Sequence, residues 1–343
     1  MVWERLGSAS VSGSTANTSW KELGRTTLSS AGDTIDVSSF TAKDNLMIIA
    51  HGIGSGNSGT STRFNADTGS NYSNRWNDNG GSDGSDSSAA TRIYSDNGTS
   101  AGDSFYVADV TNISNIEKLG IWHNVNGNTA GAGNAPARRE IVGKWANTSS
   151  QITSVNVYNG ESGDFASGAE VVVLGMDNDE ADSGTNFWQE LVSKELTATS
   201  SSNPQLDTGT FAAKKYLWVN MYLKSNTDPQ TTFNNDTGSN YAWRYNDDGG
   251  SDGTSTSTSS AGFHYGAHQV HVSAYIVNSA SKEKLYWATI TYSGGNAAAS
   301  TAPVRRELVG KWTNTSDQIT SIQSRKSSMN MYSNSWIKVY GAD

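Results

Sequence analysis

The chain repeats itself. Phe64-Asn-Ala-Asp-Thr-Gly-Ser-Asn-Tyr72 recurs as Phe233-Asn-Asn-Asp-Thr-Gly-Ser-Asn-Tyr241, with eight of nine positions identical. Ala135-Pro-Ala-Arg-Arg-Glu-Ile-Val-Gly-Lys-Trp145 recurs as Ala302-Pro-Val-Arg-Arg-Glu-Leu-Val-Gly-Lys-Trp312, and Asn147-Thr-Ser-Ser-Gln-Ile-Thr-Ser154 as Asn314-Thr-Ser-Asp-Gln-Ile-Thr-Ser321. Trp20-Lys-Glu-Leu23 pairs with Trp188-Gln-Glu-Leu191, and Leu174-Gly175 with Tyr340-Gly341, all at offsets between 166 and 171. A colinear period of this length is domain-sized, and two copies are too few for a solenoid. The chain therefore reads as two homologous domains, 20–177 and 188–343, joined by an acidic linker over 178–187. Residues 1–19 have no counterpart and read as an arm or extra strand. A second copy of this kind, residues 186–343, is expected to fold alone.

Each copy reads as β-structure. Leu46-Met-Ile-Ile-Ala50 and Leu217-Trp-Val-Asn-Met-Tyr-Leu223 are short apolar runs between polar turns. Val270, Val272, Ala274 and Ile276 alternate with Gln269, His271, Ser273 and Tyr275, the period of a strand. Gly, Asn, Ser and Asp clusters recur between such runs, and no stretch keeps helical spacing for three turns. The expected fold is all-β: two tandem homologous β-sandwiches of jelly-roll-like type.

Composition narrows the function. Ser and Thr together make 84 of 343 residues, yet 11 Trp, 14 Tyr and 8 Phe are spread along the whole length and argue against disorder. The net charge of −9 speaks against nucleic acid as a partner. No apolar run approaches a membrane span, and the first residues carry no secretory signal pattern. With no Cys there is neither a disulfide framework nor a thiolate metal site.

Several clusters invite a chemical reading. In the repeated turn, Asn65, Asp67 and Asn71, and likewise Asn234, Asp236 and Asn240, offer the oxygen ligands Ca²⁺ prefers. The competing and preferred reading is a tight turn in which Gly69 or Gly238 takes positive φ and Asx side chains bond to the local backbone. On that reading Asp236→Asn costs little. The acidic loops Asn77–Asp86 and Asn246–Gly253 lack the distal Glu of a helix–loop–helix Ca²⁺ site and read as solvated hairpin loops.

Tyr241, Trp243 and Tyr245 share one strand face, where the first copy has Tyr72, Asn74 and Trp76. Such a stripe is usually core, but Asn74 at the Trp243 position leaves room for a contact surface at Trp76, Tyr241, Trp243 and Tyr245, suited to sugar rings or a neighbouring subunit. Arg138-Arg139 and Arg305-Arg306 read as cross-strand pairing groups rather than anion sites. His264, His268 and His271 invite a metal reading, but on a strand His268 and His271 face opposite sides of the sheet, which spoils joint ligation. No nucleophile elbow, Walker loop, dinucleotide fingerprint or zinc helix is present, so no enzyme is expected and no cofactor beyond the Ca²⁺ alternative.

The Phe-Asn-x-Asp-Thr-Gly-Ser-Asn-Tyr strings, the Gly-Gly-Ser-Asp-Gly loop, the Val-Gly-Lys-Trp strand followed by Gln-Ile-Thr-Ser, and the closing Val-Leu-Gly or Val-Tyr-Gly together resemble β-rich virion structural proteins of environmental, phage-like viruses. The likeness covers most of both copies and brings no catalytic residue with it. It implies a capsid, decoration or fibre component, located in the virion after assembly in host cytoplasm. Its expected partners are itself, as a homo-oligomer, and other virion proteins. Two jelly rolls in one chain also resemble double jelly-roll capsid proteins, whose halves differ more than these do. A pair of carbohydrate-binding modules acting on host glycans is the alternative.

Overall fold

The computed structural model describes residues 20–96, 102–178, 186–264, 268–293 and 302–343. The expected arm 1–19 and most of the expected linker lie outside the described residues. All the elements are strands, and no helix among the described residues is long and apolar enough to cross a membrane. Strands of the first copy are β1 (Lys21–Thr27), β2 (Thr34–Val37), β3 (Asn45–Gly52), β4 (Gly54–Ser55), β5 (Thr60–Phe64), β6 (Tyr72–Asp78) and β7 (Gly84–Ala90). They continue as β8 (Ile93–Tyr94), β9 (Ser104–Thr111), β10 (Lys118–Asn126), β11 (Ala137–Trp145), β12 (Val155–Asn159), β13 (Asp164–Phe165) and β14 (Glu170–Met176). The second copy has β15 (Gln189–Glu195), β16 (Leu206–Asp207), β17 (Tyr216–Ser225), β18 (Gln230–Phe233), β19 (Tyr241–Asp247) and β20 (Gly253–Thr258). Its remaining strands are β21 (His268–Val277), β22 (Lys284–Tyr292), β23 (Val304–Trp312), β24 (Ile322–Arg325) and β25 (Trp336–Ala342).

The same plan is built twice. An eight-stranded sheet runs β1-β14-β3-β9-β10-β11-β6-β7 in the first copy and β15-β25-β17-β21-β22-β23-β19-β20 in the second. Opposite it lies a smaller sheet, β2-β12-β5-β8 in the first copy and β16-β24-β18 in the second. Neighbouring strands pair antiparallel. One continuous core in the first copy takes Leu46, Ile48, Tyr106, Trp122 and Val173 from the large sheet and Ile35, Phe64, Ile93 and Val157 from the small one. This is a β-sandwich, lopsided in strand number. The Val-rich β14 is buried along nearly its whole length, which explains its unbroken apolar run.

The compact units depart from the repeat boundaries in one respect. The second unit joins Asn79–Gly81 and Val125–Arg138 to Leu191–Asp343. Val125–Arg138, the link from β10 to β11, therefore belongs by sequence to the first copy and by packing to the second unit.

Candidate functional site

The repeated turn forms a hydrogen-bonded corner in both copies. Asn65 and Ala66 have φ of 51° and 54°, and Asn234 and Asn235 have 50° and 58°. With Asp67 N donating to Phe64 O, and Asp236 N to Phe233 O, both at 2.9 Å, these pairs are the two left-handed positions of a tight turn. The positive φ expected at Gly69 and Gly238 is not there; the preceding Asn-Ala and Asn-Asn pairs carry it. The glycines serve close approach instead: a Cβ on Gly238 would stand 2.8 Å from Asn240 Nδ2 and 3.1 Å from Asp236 Oδ1.

Asp236 then gathers N–H donors. Gly238 N reaches Oδ1 at 2.9 Å, Asn240 Nδ2 lies at 3.1 and 2.9 Å from the two oxygens, and Trp312 Nε1 reaches Oδ2 at 2.7 Å. Asp67 receives the same set from Gly69, Asn71 and Trp145. Partial burial alone would raise these carboxyl pKa values, but the indole, amide and backbone donors outweigh it and hold both below the usual carboxylate value. Asn65 and Asn234 are equally engaged: each Oδ1 accepts from the backbone N–H groups of the Gln-Ile-Thr-Ser segment, and each Nδ2 donates to a carbonyl there. Donors converging on a carboxylate suit the anion itself, so the six residues weighed for Ca²⁺ work as a corner lock. Among the described residues no group of three or more His, Asp or Glu is placed to hold a metal ion.

The aromatic stripe faces inward. Tyr72 and Tyr241 are fully buried, with their hydroxyls accepting from Phe64 N and Phe233 N at 3.0 Å. Trp76, Trp243 and Tyr245 are half-buried against the cores. Trp243 donates to Thr258 Oγ1 at 3.2 Å, and the buried amide of Asn74 donates to Arg92 O at 2.9 Å while its Oδ1 has no hydrogen-bond partner. Of Trp76, Tyr241, Trp243 and Tyr245, read from the sequence as a contact surface, Tyr241 lies within the sandwich and the other three pack partly against it.

Arg139 and Arg306 complete this edge. Arg306 grips Asp247 with two bonds, at 2.7 and 2.8 Å, beneath the Tyr245 ring 4.1 Å away; Arg139 grips Asp78 with two of 2.6 Å. Of the histidines, His264 Nε2 stands 3.7 Å from Asp228, His271 is exposed beside Trp336, and the His268 side chain lies outside the described residues. Burial drives the His264 pKa down, against the pull of Asp228.

Two features of the large sheets escaped the sequence. One is a row of aromatics on neighbouring strands of the second large sheet. Tyr340, Trp218, Tyr275 and Trp287 succeed one another across β25, β17, β21 and β22, with ring centroids 5.3, 5.6 and 5.0 Å apart. Its members lie far apart in the chain, so only strand register could reveal it.

The other is an apolar face on β10 and β11. Leu119 is 55% exposed, Ile121 50% and Val142 51%, with Ile113 and Ile116 exposed just before β10. Beside them Lys144 Nζ pairs with Glu117 at 3.2 Å in the open. At the repeat-equivalent positions of the second unit the face is closed: Leu285 is 1% exposed, Trp287 8% and Val309 3%. There Lys311 Nζ donates to Gly127 O at 3.0 Å and Thr129 O at 2.6 Å, while Glu283 accepts from Gly131 N at 2.7 Å. Arg138 reaches Asp252 at 2.7 Å with both side chains buried, so the second acidic loop is not a freely solvated hairpin.

No family model and no curated protein matches the chain. Among solved structures, the LG1-3 region of the laminin α2 chain shares 9% identity over 90% of this chain and 64% of that one, with a TM-score of 0.21. The chain thus spans under two thirds of that laminin region. Domains LG4-5 of the mouse laminin α1 chain share 10% identity over 99% of this chain and 93% of that one, with a TM-score of 0.17. Likeness at these scores carries no argument about this protein.

Proposed function

We propose that this chain is a non-enzymatic structural protein that assembles with copies of itself, as a capsid, decoration or fibre component of a virion. The observation that carries self-association is the apolar face of Leu119, Ile121 and Val142. Large side chains half exposed side by side on a regular sheet are the usual mark of a protein contact. The virion setting rests on the sequence resemblance. Electron microscopy of the purified protein tests the reading: ordered assemblies of one size or one repeat, formed without added ligand, are expected. A monomer at every concentration would overturn it.

A pair of glycan-binding modules is the second reading, and the parallel, part-exposed rings of Trp218 and Tyr275 favour it, because flat rings can stack on sugar faces. Binding to a glycan array that disappears in Trp218→Ala supports this reading; an array without signal removes it.

A further inference from the structure

The small sheet of the first unit carries two arginines that no carboxylate answers. Arg63 is the last residue but one of β5, and Arg92 stands immediately before β8, the edge strand of that sheet. Strands β5 and β8 pair antiparallel, Ser61 opposite Tyr94 and Thr62 opposite Ile93, so the same register brings Arg92 alongside Arg63. On the other side of β5, Ser61 stands opposite Tyr158 and Arg63 opposite Asn156 of β12. Phe64, Ile93 and Val157 belong to the core, and strand alternation turns Arg63, Arg92, Tyr94 and Tyr158 to the outer face.

Each guanidinium lies on a ring. Arg63 Cζ stands 4.2 Å from the Tyr158 centroid, and Arg92 Cζ 4.5 Å from that of Tyr94. Arg63 Nε donates to Thr91 O at 3.0 Å, which ties the first arginine to the residue beside the second. The rings hold both cations but bring no negative charge. Neither Arg63 nor Arg92 makes an ion pair among the described residues, and the shielded Nε of Arg92 has no hydrogen-bond partner. Arg139 and Arg306, by contrast, each fork onto an aspartate. The nearby carboxylates serve other groups: Glu161 accepts from the Tyr94 hydroxyl at 3.4 Å, and Asp36 accepts from the Asn156 amide.

Like charges set side by side across a strand pair repel, and a chain of net charge −9 has acids enough to neutralise them. The sandwich plan does not call for the pair. In the second copy Thr232 stands at the Arg63 position and Gln323 at that of Asn156. Both are buried there, 3.4 Å apart through Oγ1 and Oε1, and Gln323 Nε2 donates to Asp207 at 3.2 Å.

We propose that Arg63 and Arg92 together bind an oxyanion, the carboxylate, sulfate or phosphate group of a small ligand, on the outer face of the β5–β8 edge. A guanidinium fork meets two oxygens of such a group at once, and charge-assisted bonds from two forks offset the repulsion between them. Tyr94 and Tyr158, half-buried on either side of Ser61, keep the two guanidiniums stacked and ordered for that purpose. The inference goes beyond self-assembly and stands whether or not the chain assembles.

Isothermal titration calorimetry on the full-length protein tests it. The ligands are sodium sulfate, sodium phosphate and N-acetylneuraminic acid, with galactose as the neutral control and chloride holding the ionic strength constant. Wild type is expected to bind at least one oxyanion with a dissociation constant of about 1 mM or tighter, and galactose not at all. Arg63→Gln and Arg92→Gln are each expected to weaken binding about tenfold or more, because each removes a charged hydrogen-bonding group. Arg63→Lys keeps the charge without the fork and is expected to fall between. N-acetylneuraminic acid binding about tenfold tighter than either inorganic anion names an acidic sugar as the source of the group; otherwise the source is a free anion.

Wild type supplies its own readout if a variant fails to fold, because bound oxyanion is expected to move the side-chain Nε–H resonances of Arg63 and Arg92 in NMR spectra. Wild type that binds no oxyanion, galactose that binds as well as the anions, or folded variants that bind as tightly as wild type would overturn the proposal. The two arginines then do no more than cover their tyrosines, and the self-assembly reading is untouched.

Discussion

The indole N–H of Trp312 donates to the carboxylate of Asp236 at 2.7 Å, and Trp145 makes the same bond to Asp67 at the same distance. Residues 76 or 78 apart in sequence meet because β19 and β23 pair directly, Tyr241 opposite Trp312, just as β6 and β11 pair with Tyr72 opposite Trp145. The bond ties the turn before β19 to the end of β23. Both oxygens of Asp236 already receive N–H donors, so an amide there must turn an NH₂ group toward one of them. Asp236→Asn is therefore expected to destabilise the protein by about 1–3 kcal/mol, measured by chemical denaturation. The smaller effect suggested by the sequence assumed that a single acceptor oxygen is enough.

Acid should reveal the same corner. Asp67 and Asp236 have pKa values lowered in the folded chain, so the unfolded chain binds protons first as pH falls. Their contribution is fully present above the unfolded value near 4 and is lost as pH drops through the lower folded values. Trp312→Phe removes a donor and returns Asp236 toward its ordinary value. The gap in melting temperature between wild type and Trp312→Phe is expected to narrow steadily below about pH 4. A gap independent of pH would show that the indole acts by packing alone.

Backbone strain sits one step earlier than the glycine. Asn235, at φ 58°, tolerates Gly, whereas Asn235→Val is expected to cost about 1–3 kcal/mol through the left-handed conformation. Gly238→Ala presses on the Asn240 amide instead, and its cost should fall when Asn240→Ala is added. A double-mutant cycle on thermal stability reads that coupling.

Arg306 and Arg305 are neighbours with opposite fates. Arg306 is buried, forked onto Asp247 and stacked on Tyr245, so Arg306→Lys is expected to destabilise by about 1–3 kcal/mol. Exposed Arg305→Lys should stay within about 0.5 kcal/mol in the same denaturation experiment.

Residues 186–343 on their own lack Val125–Arg138. The fragment would uncover Leu285, Trp287 and Val309 and leave Lys311 without the carbonyls of Gly127 and Thr129. It is expected to bind a hydrophobic dye and to associate more strongly than the full chain. A fragment as well-behaved as the intact protein would show that the covering segment contributes little.

The sequence by itself determined the duplication, the all-β class and the two-sandwich plan, because each rests on local pattern: repeated strings, period-two alternation and turn-forming clusters. It also located the corner, since Asn, Asp and Gly in that order advertise a turn, although it placed the left-handed residue on the glycine. Tertiary structure decided what those side chains face. Trp145 and Trp312 read as strand ends until pairing set them against Asp67 and Asp236. Lys118 and Lys284 are buried and donate to the backbone carbonyls of Asn147 and Asn314, partners about 30 residues away that only the fold brings to them. The difference between Ile121 and Trp287 is the clearest case. Equivalent in the repeat and alike in strand position, one is open and the other closed, because burial depends on which distant segment arrives to cover a face, and no local pattern records that arrival.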